Sequence, residues 1–253
     1  MKLGPVLLLL ALACGTARAE TLVASLSTSQ VRITSNYTGS QIVVFGAIER
    51  DAQSVARAGA YQVVVTVRGP RQAVTVREKN RTGPVWINGQ QQKFIHIPAY
   101  LGVFASAPIV EIGTTLQRQR MRIGLQAAMD APDVTMDRGT EDDRFREALA
   151  RLKIRELLFV EDERGTTCLT PNLFRTPVPL PVTAPPGDYE VDVALFADSV
   201  LLARTSTSFE VVKIGFEQRL ADFSIQWAAL YGLGTAAMAL MFGWLATVIF
   251  RRD

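Results

Sequence analysis

From Thr21 to about Ile112 the chain is a series of short apolar runs broken by turn residues. Gln30 to Thr34 alternates apolar and polar positions, Gln41 to Ile48 is a denser apolar run, and Tyr61 to Val67 and Ala73 to Val76 are rich in β-branched residues. Turn-forming residues fall at Tyr37-Thr38-Gly39, Ala58-Gly59, Arg68-Gly69-Pro70 and Thr82-Gly83-Pro84. Short strands at this spacing predict a sandwich. After Pro185-Pro186-Gly187-Asp188 the theme returns as Tyr189 to Phe196, turns at Ala197-Asp198-Ser199 into Val200 to Arg204, and closes with Ser208 to Val212. A tight turn feeding a tyrosine-containing strand and its hairpin partner is common in immunoglobulin-like sandwiches. The expected fold class is therefore mainly β, an immunoglobulin-like β-sandwich, and fold alone says nothing of activity.

Between the two β parts the period changes. A helical insertion is expected near 114–160. Thr140 can cap a helix whose first turn, Glu141-Asp142-Asp143, suits the positive end of the macrodipole, and Phe145, Leu149, Leu152 and Phe159 fall near one face. Thr115 to Met129 is read as one helix ending before Pro132, with Arg118, Arg120 and Arg122 on a solvated face. A basic surface for an anionic ligand is the other reading of those arginines.

Trp227 to Phe250 is apolar and uncharged, and Arg251-Arg252-Asp253 follow. Twenty-four residues reach ~36 Å, enough to cross a bilayer core with some tilt. At the other end, Lys2, the apolar Val6 to Ala13 and Ala17-Arg18-Ala19 form a secretory signal cleaved after Ala19. Lipidation at Cys14 is a rival reading, weakened by Ala11 standing where such a motif usually has Leu. Together these predict residues 1–19 as signal, 20–215 as an exported domain, 216–250 as a juxtamembrane and membrane helix, and 251–253 as a cytoplasmic tail. Phe216, Leu220, Phe223 and Trp227 extend the apolar stripe, so the helix is expected to begin near Phe216.

That topology changes the meaning of the charge. Of 27 basic and 24 acidic residues, Lys2, Arg18, Arg251, Arg252 and Asp253 lie in the ends, and what remains between them is balanced. Nucleic acid is not an expected partner.

Candidate chemistry is sparse. The only histidine, His96, lies in VWINGQQQKFIHIPAYLGVF. Asn88-Gly89 there predicts a two-residue hairpin turn pairing Ile87 with Gln90 and setting His96 opposite Arg81 on a half-apolar face. Imidazole metal sites usually need a second histidine or cysteine, and no strained serine elbow is present, so His96 is read as structural. Once Cys14 is removed, Cys168 stands alone and is read as a small buried apolar residue. Glu141-Asp142-Asp143 and Glu161-Asp162-Glu163 lack the spacing and glycine of a calcium loop. No catalytic residue, cofactor or metal is expected, and the protein is read as not an enzyme.

The membrane helix is more informative. On a helical wheel Ala228, Gly232, Ala236, Ala239, Gly243 and Ala246 lie within ~80° of one another, with Leu230, Leu233, Leu240, Trp244 and Val248 opposite. Such a smooth face lets a second helix approach closely.

The chain resembles a family of alphaproteobacterial transmembrane proteins with one span and a periplasmic domain. The resemblance rests on VWINGQQQKFIHIPAYLGVFASAPI, FREALARLKIRELLF, LFRTPVPLPVTAPPGDYEVDVALF and the C-terminal span. It implies a bacterial inner-membrane location and an association with sulfite-exporter-like permeases, and it carries no catalytic residues. The chain departs from it at Ala197-Asp198-Ser199, where a glycine is expected. The function expected is a membrane-anchored accessory subunit of a multi-span transporter, with the bilayer and a permease or a second copy of the chain as partners. A free-standing ligand-binding or envelope-sensing module is the alternative, and an enzyme or thiol redox protein comes third.

Overall fold

The computed structural model describes residues 20–34, 37–49, 60–130, 135–137, 143–214, 225 and 227–249. The expected signal with Cys14, the Thr140 cap with Glu141 and Asp142, the apolar stripe over Phe216, Leu220 and Phe223, and the tail 251–253 lie outside the described residues. The chain divides into two units, Met1–Val31 with Thr38–Val211, and Arg32–Tyr37 with Val212–Asp253.

The fold is mainly β. One sheet has the order β1 (Thr21–Leu26), β3 (Ser40–Glu49), β11 (Leu173–Leu180) and β10 (Thr167–Thr170). The other runs β2 (Gln30–Ile33), β13 (Val200–Lys213), β12 (Gly187–Ala197), β4 (Gln62–Arg68), β7 (Leu101–Ala105) and β9 (Phe159–Asp162). Relabelled by immunoglobulin convention, the first sheet is A-B-E-D and the second begins A′-G-F-C-C′, the strand order of that sandwich. A tyrosine corner closes the turn before β12: Tyr189 Oη donates to the Pro185 carbonyl at 2.8 Å. Its ring stacks on Phe209 with centroids 5.0 Å apart and tilts against Tyr100 at 5.9 Å.

Burial follows from the layers. In β3 and β11 it alternates, with Ile42, Val44 and Ile48 and then Phe174, Thr176, Val178 and Leu180 inward, as a one-sided sheet requires. In β4, β7 and β12 both faces are covered, which is why Val191 to Ala197 is buried at every position. One face meets the first sheet, where Tyr100 Oη donates to the Pro179 carbonyl at 2.7 Å. Burial, reinforced by Tyr189, pushes the Tyr100 phenol far above its ordinary pKa and keeps it a neutral donor. The other face lies under the insertion: Arg68 Nη2 donates to the Met121 carbonyl, and a Cβ at Gly113 would sit 3.0 Å from the Phe196 ring.

The insertion comes between β7 and β10. It carries α1 (Thr115–Met121), α2 (Leu125–Met129), the short strand β8 (Thr135–Asp137), α3 (Asp143–Arg155) and β9, which pairs parallel to β7. Thr114 and Gln117 cap α1 reciprocally, Gln117 N donating to Thr114 Oγ1 at 3.3 Å and Thr114 N to Gln117 Oε1 at 2.9 Å. The single helix expected over 115–129 is instead broken. Arg122 takes the left-handed conformation (φ 56°), Gly124 follows with φ 98°, and the bend buries Ile123, Ala128 and Met129 together. In α3 the buried stripe is Phe145, Leu149 and Lys153, not Leu152, which is exposed, and Phe159 belongs to β9. Lys153 keeps its place by burying a long apolar stem, and that burial lowers its pKa.

β5 (Arg71–Thr82) and β6 (Val85–Pro98) prolong β4 and β7 into one ribbon, with Gly69 N donating to the Tyr100 carbonyl and Ala99 N to the Pro70 carbonyl across the join. The turn expected at Asn88-Gly89 is not there. The chain reverses at Gly83-Pro84, where Gly83 supplies φ 65° and Pro84 has a fixed φ, and Thr82 pairs with Val85. This register sets buried Phe94 against Val74, an apolar cross-strand pair that the Asn88-Gly89 turn would forfeit. Asn88-Gly89 becomes part of a bulge, where Arg77 pairs with Gln91 but Lys79 with Asn88. His96 lies in a second irregularity, between the pairs Gln72↔Ile97 and Val74↔Phe94, and so faces Ala73 rather than Arg81.

In the second unit Ile214 N donates to the Ile33 carbonyl at 2.7 Å. α4 (Ala228–Ile249) is apolar throughout, with a mean hydropathy of 1.5 over Ala228–Thr247, and at ~33 Å is long enough to span a bilayer core.

Candidate functional site

α4 carries the small-residue positions read from the sequence. Ala228, Gly232, Ala236, Ala239, Gly243 and Ala246 all lie on it, fully within regular helix, and all are exposed. A Cβ built at Gly232, Gly234 or Gly243 would meet nothing within 4 Å, as on a helix whose described side chains are all exposed. The two threonine hydroxyls on α4 are satisfied within it. Thr235 Oγ1 donates to the backbone at Tyr231 or Gly232, and Thr247 Oγ1 to Gly243 O at 2.9 Å, which is what a hydrocarbon surrounding demands.

A second feature gathers charged residues from separate parts of the first unit. A cleft of about 210 Å³ is lined by Arg68, Arg71 and His96 of the ribbon base, Arg122 of the insertion, and Asp188 and Glu190 of β12. Strand geometry explains the grouping: Arg68 and Asp192 are diagonal neighbours on one face, because Arg68 pairs with Glu190 across the β4–β12 ladder. Arg68 is ion-paired with Asp192, and Arg204 Nη2 reaches the same carboxylate at 3.0 Å. The Arg68 Nε–H is buried and has no acceptor among the described residues. His96 holds φ 64° at the cleft, and its imidazole makes no hydrogen bond with a described residue. The expected β-strand histidine is thus a bulge residue at a cleft rim. Its local signal was the register, which the Asn88-Gly89 reading displaced.

The cleft offers arginine donors and two carboxylates for binding a small polar molecule. Its described lining holds no serine, threonine or cysteine. Among the described residues no group of three His, Cys, Asp or Glu side chains is placed to hold a metal.

The acidic run Glu161-Asp162-Glu163 has an architectural use. Glu161 Oε2 accepts from Leu125 N at 2.7 Å at the start of α2, and Glu163 Oε1 accepts from Ile109 N at 3.2 Å. Asp162 Oδ1 accepts from Arg164 N at 2.9 Å. Arg118 is likewise occupied, donating to the Val110 carbonyl at 2.9 Å and the Gly113 carbonyl at 3.0 Å. Glu161 and Glu163 thus tie β9 and the turn after it to the start of α2 and to Ile109, while Arg118 holds the segment before α1.

Cys168 departs from expectation. It is exposed, because β10 is the edge strand of its sheet and all four of its residues face solvent. Partial desolvation by its neighbours still raises the thiol pKa above its ordinary 9.0.

No curated protein and no solved structure matches the chain. A family model does, over residues 21–252, and with the apolar α4 at its end the chain belongs to the family described as "putative transmembrane protein (Alph_Pro_TM)".

Proposed function

We propose that the protein is a non-enzymatic accessory subunit of a multi-span membrane transporter, with its sandwich on the periplasmic side of a bacterial inner membrane. The signal over residues 1–19 and the arginines after the span support that orientation. The observation that carries the reading is the alignment of Ala228, Gly232, Ala236, Ala239, Gly243 and Ala246 along one side of the apolar α4. In lipid there is no hydrophobic drive to pair helices, so close packing against small residues supplies the contact. A permease of the sulfite-exporter type is the partner class to which the family resemblance points.

The charged cleft supports a second reading, a free-standing module that binds a small polar ligand through Arg68, Arg122 and His96. One experiment separates the two. The tagged protein is purified from its native membrane in mild detergent, beside a Gly232→Leu/Gly243→Leu variant. A stoichiometric multi-span protein that is lost with the variant supports the accessory subunit. Recovery of the chain alone, or only with copies of itself, rejects it in favour of the ligand-binding module.

A further inference from the structure

The ribbon of β5 and β6 ends in a surface that neither the cleft nor α4 accounts for. Every residue from Arg77 to Gln91 is exposed. Arg77 to Lys79 share a groove with Arg144, Phe145 and Ala148 of α3, but the two-stranded tip beyond them gains little from burial and is marginal in water. That tip nevertheless presents Val85, Trp86 and Ile87 at 57%, 63% and 48% exposure.

Two observations indicate what covers them. Successive strand residues point to opposite faces, so Val85 and Ile87 crown one side of the ribbon and Trp86 the other. A protein groove covers one face of a ribbon, whereas a lipid interface surrounds a tip on all sides. The charge behind the tip has the matching sign. From Arg71 to Pro98 the ribbon carries Arg71, Arg77, Lys79, Arg81 and Lys93 against Glu78 alone. Arg81 pairs directly with Trp86, and Lys79 lies two residues behind it on the same face. An amphipathic ring beside long cationic side chains suits the headgroup region, where tryptophan settles and lysine and arginine extend to phosphates.

From these we infer that the ribbon tip, Val85 to Ile87, inserts into the interface of an anionic phospholipid bilayer, with Lys79 and Arg81 on the headgroup phosphates. The inference is independent of any transporter partner.

The test uses the full chain in liposomes with Trp227→Phe and Trp244→Phe, which leaves Trp86 as its only tryptophan. Acyl chains brominated near the headgroup quench tryptophan that enters the interface, and iodide quenches what stays in water. The expected result is strong bromolipid quenching of Trp86 in phosphatidylglycerol-containing liposomes, or by brominated phosphatidylglycerol vesicles added outside. Lys79→Gln with Arg81→Gln should weaken binding to the added vesicles about 30-fold, since each cation near an anionic surface contributes a comparable increment. Trp86 open to iodide and untouched by bromolipid in both arrangements would overturn the inference. So would protection that appears only when a membrane protein extract is supplied, since the occupant would then be protein. Retained near-ultraviolet circular dichroism in the charge variant separates lost binding from lost folding.

Discussion

Thr166 Oγ1 and Thr176 Oγ1 lie 2.9 Å apart, both buried, and Thr166 Oγ1 also donates to the Phe104 carbonyl at 3.2 Å. A hydroxyl has one proton, so with that of Thr166 committed to Phe104 the bridging proton comes from Thr176. The relay runs from β11 through Thr166 to the end of β7. It ties the two sheets of the sandwich where the insertion rejoins them.

The direction of that relay predicts an asymmetry. Thr166→Val leaves the Thr176 hydroxyl without an acceptor and the Phe104 carbonyl without this donor, and should cost about 2–3 kcal/mol. Thr176→Val removes only the terminal donor and should cost about 1 kcal/mol. The double variant should cost less than the sum by about 1 kcal/mol, because no hydroxyl is left stranded. Urea unfolding of the detergent-solubilised chain, followed by near-ultraviolet circular dichroism, measures all three. Equal single effects that add would contradict the assigned direction.

The β12–β13 turn offers a gain. Ala197 pairs with Val200, and both residues between them have positive φ, 48° at Asp198 and 63° at Ser199. This is the backbone of a type I′ turn, in which Asn-Gly is favoured and a serine in the second position is strained. Asp198→Asn with Ser199→Gly should raise stability by about 1 kcal/mol, read as a higher urea midpoint with an unchanged slope. A midpoint that stays or falls would show that the present residues are not strained there.

What could be read from the sequence divides along local and non-local lines. The strand from Tyr189 and the turn before it were legible because Pro185-Pro186-Gly187-Asp188 and the apolar run that follows are local signals. The bond from Tyr189 Oη to the Pro185 carbonyl, in contrast, appears only in the structure. The small face of α4 was legible because a lone helix needs only its own period. Register was not. Asn88-Gly89 has the composition of a turn, but the partners that decide pairing, Val74 with Phe94 and Gln72 with Ile97, lie outside any such window. Cys168 was misjudged for a related reason, since an edge position is a property of the sheet and not of Thr167 to Thr170. The cleft was invisible because Arg68, His96, Arg122 and Glu190 come from four separate stretches.

Cys168 supplies a prediction in which exposure and reactivity part company. An exposed lone thiol suggests ready alkylation, but the thiolate is the reacting form, and desolvation holds the pKa of this one above 9.0. Labelling by iodoacetamide, read at Cys168 by peptide mass spectrometry, should be slow at pH 8 and faster in urea at the same pH. The same shift fixes a sign for stability. The folded state holds the proton more tightly than the unfolded one, so stability is full below pH 9.0 and declines as pH rises through the higher folded pKa. Cys168→Ser, which does not ionise in this range, should lack that alkaline decline. Labelling at pH 8 that is as fast folded as unfolded would show that the edge strand gives the thiol no protection.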